Sequence, residues 1–274
     1  MTGAAPDDIL WGVTVLNTLE TLETYYDAVP RPLATTEELG PFTLFLRRDP
    51  DGWPYYARPR LGYDGPVPSA SVDDVRARQR ELGVPEAFEW VHETTPGLLA
   101  AAREAGLAEC PLLVLPADAV PVRPSLPDSF RVVPLAADAR EVGDVVTAVS
   151  AGFAGTDDVA PGDAGRFPRL IAEGLVAMAG AYDGETAIGG GTHGPRGTTT
   201  ELTGIAVIPR ARRTGVGAAI TVALVADARN RGVETVFLSA WTDAVARVYE
   251  RVGFVRVGTA CIAGRAGGTE PADG

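Results

Sequence analysis

The order of apolar and polar positions is most regular in the second half of the chain. Apolar runs bounded by turn residues predict strands at 130–133, 175–182, 185–192, 199–208, 235–240 and 255–262. Apolar residues at helical spacing predict helices at 139–153, 166–173, 217–230 and 243–252. The order β-α-α-β-β-β-α-β-α-β predicts an α/β (α+β) domain with a mixed, mostly antiparallel sheet flanked by helices. Its one parallel crossover runs through the helix at 217–230.

Local signals mark the ends of several of these elements. Asp138 is placed to cap the first helix, with Glu141 at the capping-box position. Asp183-Gly184, between two strands, is a dipeptide preferred in type I′ hairpin turns. We therefore expect residues 175–192 to form a tight hairpin.

The first half of the chain contains a partial copy of this ending. The copy consists of a helix at 74–82, a strand at 87–92, a helix from Thr95 to Gly106 and a strand at 112–115. Residues 82–88 align with residues 231–237 at the end of a helix and the start of the next strand. An internal duplication is the economical interpretation, and chance similarity of two strand-helix-strand units is the alternative.

A proline-rich stretch separates the two halves. Four prolines fall between Pro116 and Asp128, which excludes a helix or a central strand there and predicts a semi-rigid linker. The predicted organisation is a domain at 1–116, a linker at 117–129, a second domain at 130–263 and a flexible tail at 264–274.

Composition narrows the classes of function. The chain of 274 residues has a formal net charge of −12, so it lacks the basic face of a nucleic-acid binder. The acidity favours a cationic substrate such as an amine, or serves solubility alone. No metal site is predicted, because the two histidines and the distant Cys110 and Cys261 form no ligand pattern. With no secretion signal and no apolar run of about 18 residues, we expect a soluble cytoplasmic protein without a membrane partner.

The strongest chemical signal lies between Val207 and Ala218. A strand ends, a basic turn follows, and glycines open a helix. Backbone N–H groups at a helix N-terminus carry partial positive charge that suits a pyrophosphate, and glycines allow its close approach. The run lacks the Gly-Lys-Ser/Thr of a P-loop and the spacing of a dinucleotide fingerprint. A phosphate-bearing ligand is therefore one interpretation, and a tight turn at a helix start is the other.

Two motifs in this half together resemble a known family. Arg212-x-x-Gly215-x-Gly217 is similar to the acetyl-CoA signature of the GNAT superfamily of N-acetyltransferases, and residues 248–254 resemble its second hallmark. The predicted element order also matches the GNAT fold over residues 130–263. The partial copy resembles the second half of the same fold, which implies a degenerate GNAT-like domain ahead of a catalytic one.

The resemblance implies acetyl-CoA as co-substrate and a set of residues that contact it. The pyrophosphate loop falls on Arg212, Arg213, Thr214, Gly215, Val216 and Gly217, with Ala218 in the helix, and the pantetheine arm pairs with Ile205, Ala206 and Val207. Thr242 stands where the family often has an asparagine that touches the cofactor. The neighbouring Trp241 is expected, as an alternative to a cofactor contact, to line the acceptor pocket.

The resemblance also implies direct attack of a neutral amine on the thioester. Tyr249 takes the position of the family's general acid, although it could serve packing alone. Glu201 is the candidate base, with a solvated strand-end glutamate as the alternative. His193 is the alternative proton acceptor.

The N-terminal half has no phosphate loop, and Ala102 stands where the tyrosine would be. It should therefore not bind CoA, and Trp53, Tyr55 and Tyr56 either line an acceptor cleft or belong to a core. We expect an N-acetyltransferase that acts on the primary amine of a small molecule. The sequence leaves open whether the protein forms a homodimer. The alternatives are a noncatalytic acyl-CoA sensor, another acyl group, or a protein amine.

Overall fold

The computed structural model describes residues 6–50, 52–102, 107–160 and 162–264. The helices are α1 (Pro6–Ala28), α2 (Ser69–Glu81), α3 (Leu98–Ala102), α4 (Ala139–Ala154), α5 (Phe167–Ala172), α6 (Val216–Asn230) and α7 (Asp243–Val252). The strands are β1 (Ala34–Leu39), β2 (Phe42–Arg47), β3 (Ala57–Pro59), β4 (Phe88–Val91), β5 (Leu107–Leu115), β6 (Phe130–Pro134), β7 (Ala177–Asp183), β8 (Thr186–His193), β9 (Thr199–Val207), β10 (Thr235–Ser239) and β11 (Val255–Ala263).

The described residues form two compact units. Residues 6–112 with 257–264 make the N-terminal unit, and residues 113–256 make the C-terminal unit. This division differs from the predicted domains, because most of β11 joins the N-terminal unit. There β11 pairs antiparallel with β4, with Cys261 opposite Trp90. Of the predicted tail at 264–274, residues 265–274 lie outside the described residues.

The sheet of the C-terminal unit has the strand order β10-β9-β8-β7-β6. Neighbouring strands from β6 to β9 are antiparallel, whereas β9 and β10 are parallel and joined through α6. The predicted element order and the parallel crossover are therefore confirmed. Asp138 caps α4 as predicted, since its Oδ1 accepts hydrogen bonds from the backbone N–H groups of Arg140 (2.9 Å) and Glu141 (3.2 Å).

The turn between β7 and β8 differs from the predicted type I′ turn. Asp183 pairs with Thr186, so the two loop residues are Gly184 and Glu185. A type I′ turn requires positive φ at both loop residues, but only Gly184 has one, at 57°. The hairpin prediction is confirmed, and the turn type and its central residues were wrong.

The N-terminal unit repeats the strand directions of the C-terminal unit. Strands β1, β2 and β3 are successively antiparallel, and β3 and β4 are parallel and joined through α2. The same sequence of directions connects β7, β8, β9, α6 and β10. The similarity seen in the sequence thus extends to three strands before α2. Helix α2 begins at Ser69, five residues before its predicted start, because Pro68 at its N-cap position makes no side-chain cap that would mark the start.

Candidate active site

Strands β9 and β10 separate partway along their length. Their parallel pairing includes Thr199, Thr200 and Glu201 of β9 and ends at the pair Glu201–Phe237. On its other side, β9 stays paired with β8 as far as Val207, opposite Gly189. The edge of β9 beyond Glu201 that faces away from β8 is therefore unpaired with β10, and this edge includes the predicted pantetheine contacts Ile205, Ala206 and Val207.

A loop with unusual backbone geometry connects β9 to α6. Arg213 has φ of 62°, and it is the only non-glycine residue with positive φ in the described part of the chain. Gly215, the N-cap residue of α6, has φ of 89° and provides no side-chain cap. The first helical hydrogen bond runs from Ala219 N to Gly215 O at 2.9 Å. No acceptor among the described residues satisfies the backbone N–H groups of residues 213–218, which leaves a row of donors at the start of the helix.

The Arg212 side chain is hydrogen-bonded to backbone carbonyl groups of the protein. Its guanidinium donates to the carbonyl oxygen of Gly152 on α4 at 2.8 Å and, through Nε, to that of Val207 at 3.3 Å. Arg212 thus fixes the start of the loop to α4 and β9. The next residue, Arg213, is exposed and has no polar partner among the described residues.

Glycines that were not singled out in the sequence allow close packing around this loop. A Cβ at Gly152 would lie 3.0 Å from the backbone of Val207, which is tighter than an ordinary contact, so glycine favours the close approach of α4 to β9. On β8, a Cβ at Gly190 would lie 2.4 Å from Val145 of α4, and one at Gly191 would lie 2.7 Å from Ile205. Three successive glycines within a strand are the sequence signal for such close approach.

Tyr249 lies on α7 with its ring edge-on to Phe254, at 6.2 Å between ring centroids. Its hydroxyl forms no hydrogen bond with the residues that the structure describes. Burial raises the pKa of Tyr249 to about 12, so the phenol keeps its proton at neutral pH. The structure therefore places a protonated phenol on the helix that follows β10.

Glu201 is the last residue of β9 that pairs with β10. Its carboxylate is partly buried and accepts a hydrogen bond from Ser239 Oγ of β10 at 3.3 Å. Ser239 was not predicted, because nothing in the local sequence connects it to a residue 38 positions earlier. The two side chains mark the point at which the strands separate.

Thr242 is the N-cap of α7, where its Oγ1 accepts a hydrogen bond from Val245 N at 3.2 Å. The threonine therefore caps the helix. Its contact with a cofactor stays a prediction. Trp241, the preceding residue, is 36% exposed.

His193 is fully buried, contrary to the expectation for a hairpin end, and both ring nitrogens have partners. Nε2 lies 2.9 Å from Asp227 Oδ2, and Nδ1 lies 3.1 Å from Thr200 Oγ1. Burial lowers the pKa of His193 despite its bond to Asp227. A neutral ring donates from Nε2 to the carboxylate and accepts from Thr200 at Nδ1. Neither nitrogen is available to a substrate amine, so this structure does not support His193 as the proton acceptor.

The buried His193 should make the fold less stable in mild acid. Because the pKa of His193 is lowered in the folded state, the unfolded chain binds a proton below about pH 6.5 that the native protein excludes. We expect the free energy of unfolding from urea titrations to fall by up to about 1.4 kcal/mol per pH unit there. The variant His193→Gln should show a flatter pH dependence whatever its absolute stability. Parallel curves for the two proteins would contradict this assignment.

The N-terminal unit closes the place that corresponds to the open edge of β9. The pairing of β3 and β4 includes Ala57 and Phe88, and Phe88 is the residue that aligns with Phe237. Beyond it, the carboxylate of Glu23 accepts hydrogen bonds from Val91 N at 3.1 Å and from buried Arg58 at 2.9 Å. The ion pair of Glu23 and Arg58 thus occupies the position beyond the last paired residues of β3 and β4. That the N-terminal unit does not bind CoA stays a prediction.

The aromatic residues 53–56 do not form one surface. Tyr56 is buried and packs edge-on against Phe45, with 6.5 Å between ring centroids, whereas Trp53 is 48% exposed. Cys110 and Cys261 are both buried, as expected for small core residues.

The described residues contain neither a metal-binding cluster nor a membrane-spanning helix. No group of three or more His, Cys, Asp and Glu side chains there is arranged to hold a metal ion. Among the helices of the same residues, none is long and apolar enough to cross a membrane.

Comparison with known families identifies the class of the C-terminal unit. Residues 154–254 match the family model described as acetyltransferase (GNAT) family, and they include β9, the loop, α6 and Tyr249. This part of the chain is therefore similar to a GNAT acetyltransferase domain. Members of the family are generally acyltransferases that use acyl-CoA as co-substrate. No curated protein gives a significant match to the sequence.

Solved structures show that the fold similarity extends over most of the chain. A GCN5-related N-acetyltransferase from Kribbella flavida is 20% identical with a TM-score of 0.71, covering 91% of this chain and 96% of its own. A GCN5-related N-acetyltransferase from Sphaerobacter thermophilus is 15% identical with a TM-score of 0.55, covering 84% and 83%. A tandem GNAT protein from the clavulanic acid biosynthesis pathway is 15% identical with a TM-score of 0.52, covering 82% and 79%. The chain therefore has the GNAT fold, with coverage like that of tandem proteins.

Proposed function

We propose that the C-terminal unit binds acetyl-CoA and transfers its acetyl group to the primary amine of a small molecule. The observation that carries this proposal is the row of unsatisfied N–H groups at residues 213–218, next to the unpaired edge of β9. Donors at a helix N-terminus suit a pyrophosphate, and an open strand edge suits an extended arm that contains amides. An acyl-CoA molecule carries both groups, so the two neighbouring features fit one ligand.

The proposed transfer needs two proton movements. The amine nitrogen bonds to the acetyl carbonyl carbon as the bond between that carbon and sulfur breaks. The ammonium form of the acceptor must first lose a proton, and the departing thiolate must gain one. We assign to Glu201 the removal of the proton from the ammonium group. We assign to Tyr249 the donation of a proton to the thiolate. These residues flank the separation of the strands, since Glu201 is the last paired residue of β9 and Tyr249 lies on the helix after β10.

The surroundings of the two groups support these roles. Burial keeps Tyr249 protonated, with a pKa of about 12, so it can donate a proton at neutral pH. Glu201 is partly buried and hydrogen-bonded to Ser239, which holds its carboxylate at the end of the paired region. The formal net charge of −12 attracts an ammonium group to the protein. Trp241, partly exposed before α7, is our candidate for a wall of the acceptor pocket.

The proposal is tested by screening a library of small amines and lysine peptides with acetyl-CoA while following the release of free CoA thiol. We expect release with one class of small amine. Release with peptides alone would make the acceptor a protein amine, and release only with propionyl- or succinyl-CoA would change the acyl group. CoA binding without release for every amine and donor would contradict catalysis and favour an acyl-CoA sensor.

A further inference from the structure

The proline-rich segment Pro116–Asp128 lies against the C-terminal unit along its length. Arg229 of α6 donates to the carbonyl oxygens of Ala117 at 3.3 Å and Ala119 at 2.8 Å. Farther along, Val122 N donates to Val252 O at the end of α7 at 3.0 Å. The predicted semi-rigid linker is thus hydrogen-bonded to α6 and α7.

The middle of this segment contacts the N-terminus of α6. A Cβ at Gly215 would lie 3.0 Å from Pro124 Cβ and 3.1 Å from the carbonyl oxygen of Ser125. Gly215 is therefore required both by its φ of 89° and by the segment packed on it. Residues 124 and 125 thus cover one side of the loop whose backbone N–H groups have no acceptor among the described residues.

Arg123 stands between two fixed residues of this segment. Val122 before it is hydrogen-bonded to α7, and Pro124 after it packs on Gly215 and restricts the backbone. The Arg123 side chain is exposed and makes no ion pair with the described residues. Arg123 directly precedes Pro124, which contacts the loop at Gly215.

Two of the three arginines at residues 210–213 are bound to other groups, so little free positive charge remains at the loop. Arg210 is paired with Asp183 at 3.2 Å, and Arg212 is bound to the carbonyl oxygens of Val207 and Gly152. Of the arginines in the segment and the loop, only Arg123 and Arg213 are exposed and not neutralised by a described carboxylate. Acyl-CoA carries a pyrophosphate and a 3′-phosphate, which require more than one cation for strong binding.

We propose that the proline-rich segment is part of the acyl-CoA site and that Arg123 binds a phosphate group at the nucleotide end of the ligand. This inference rests on the proposed function, because it assumes that the loop at residues 212–217 holds the pyrophosphate. The segment then has two tasks. It covers one side of the loop, and it adds a cation from outside residues 154–254.

The test is a calorimetric titration of the full-length chain with CoA and with 3′-dephospho-CoA. Arg123→Gln should weaken CoA binding about fivefold to tenfold and reduce its salt dependence, since one charge-assisted contact is lost. Arg123→Lys should keep most of the affinity. The matched control is Arg140→Gln, an exposed arginine about 18 Å along α4 from Gly152, which should bind CoA like the wild type.

Comparison of the two ligands shows which phosphate group Arg123 contacts. A loss seen with CoA but absent with dephospho-CoA assigns Arg123 to the 3′-phosphate, and equal losses assign it to the pyrophosphate. Affinity within twofold of the wild type for Arg123→Gln, or an equal loss in Arg140→Gln, would overturn the inference while leaving the proposed function intact. Absence of CoA binding by the wild type would overturn the proposed function and this inference together.

Discussion

Replacing Gly217 with glutamate should weaken acyl-CoA binding by at least about 100-fold while the protein stays folded. Gly217 is the second residue of α6, and a Cβ there would meet no atom within 4 Å. A carboxylate at this position would approach the N–H groups that we assign to the pyrophosphate, and it would repel the phosphates. The ligand would therefore lose its donors and face a negative charge.

The same substitution should not harm the fold. Replacing glycine in a helix adds up to about 1 kcal/mol of stability, and a negative charge in the first turn interacts favourably with the helix dipole. Ala70→Glu is the matched control, because Ala70 is exposed and is the second residue of α2, the counterpart of α6 in the N-terminal unit. We expect calorimetry to show normal CoA binding for the control and the loss of at least about 100-fold for Gly217→Glu. Wild-type affinity in Gly217→Glu would mean that the phosphates bind elsewhere.

Tyr249→Phe should lower turnover about 100-fold, the lower end of the usual contribution of a general acid. The phenylalanine keeps the edge-on contact with Phe254 but has no proton to give to the departing thiolate. CoA affinity should stay within twofold of the wild type, because the hydroxyl is not part of the phosphate loop. Because the pKa of Tyr249 is about 12, the wild-type rate should show no loss from ionisation of this phenol below about pH 11.

Tyr182→Phe provides the control for removal of a hydroxyl. Tyr182 lies on β7 in the same unit, and its buried hydroxyl has no partner among the described residues. Its turnover should equal that of the wild type, measured with the amine that the library screen identifies. Unchanged turnover in Tyr249→Phe would remove the tyrosine from the mechanism and leave it a packing residue.

The sequence was most informative where one residue decides where an element begins or ends. Helix α7 runs from Asp243 to Val252 as predicted, because Thr242 caps it and Gly253 follows its last residue. The turn before α6 was predicted for a similar reason, since glycines at positions 215 and 217 mark the start of that helix. In both cases, the physical cause lies within a few residues of its effect.

Polar edge strands and distant partners could not be predicted in the same way. Strand β1 contains Thr35, Thr36, Glu37 and Glu38 and pairs on one side only with β2, so it lacks the alternating apolar pattern of a buried strand. The pair of His193 and Asp227 joins residues 34 positions apart on two elements. Its partners depend on how α6 packs on the sheet, which local spacing does not specify.

Arg212 shows that a motif in the sequence does not specify the contacts of its side chains. The motif placed it in the phosphate loop, where a free guanidinium is expected to bind phosphate. In the structure, the side chain is bound to the carbonyl oxygens of Val207 and Gly152, so the loop offers its backbone N–H groups instead. Glycine at position 152 of α4 has a separate reason, since a Cβ there would lie 3.0 Å from the backbone of Val207.

The central claim is that the chain holds one acyl-CoA, in the C-terminal unit. The most direct measurement is the stoichiometry of CoA binding by the full-length protein in a calorimetric titration. We predict one CoA per chain, because the N-terminal unit lacks the loop and its cleft is filled by Glu23 and Arg58. Two equivalents per chain, or none, would contradict the account.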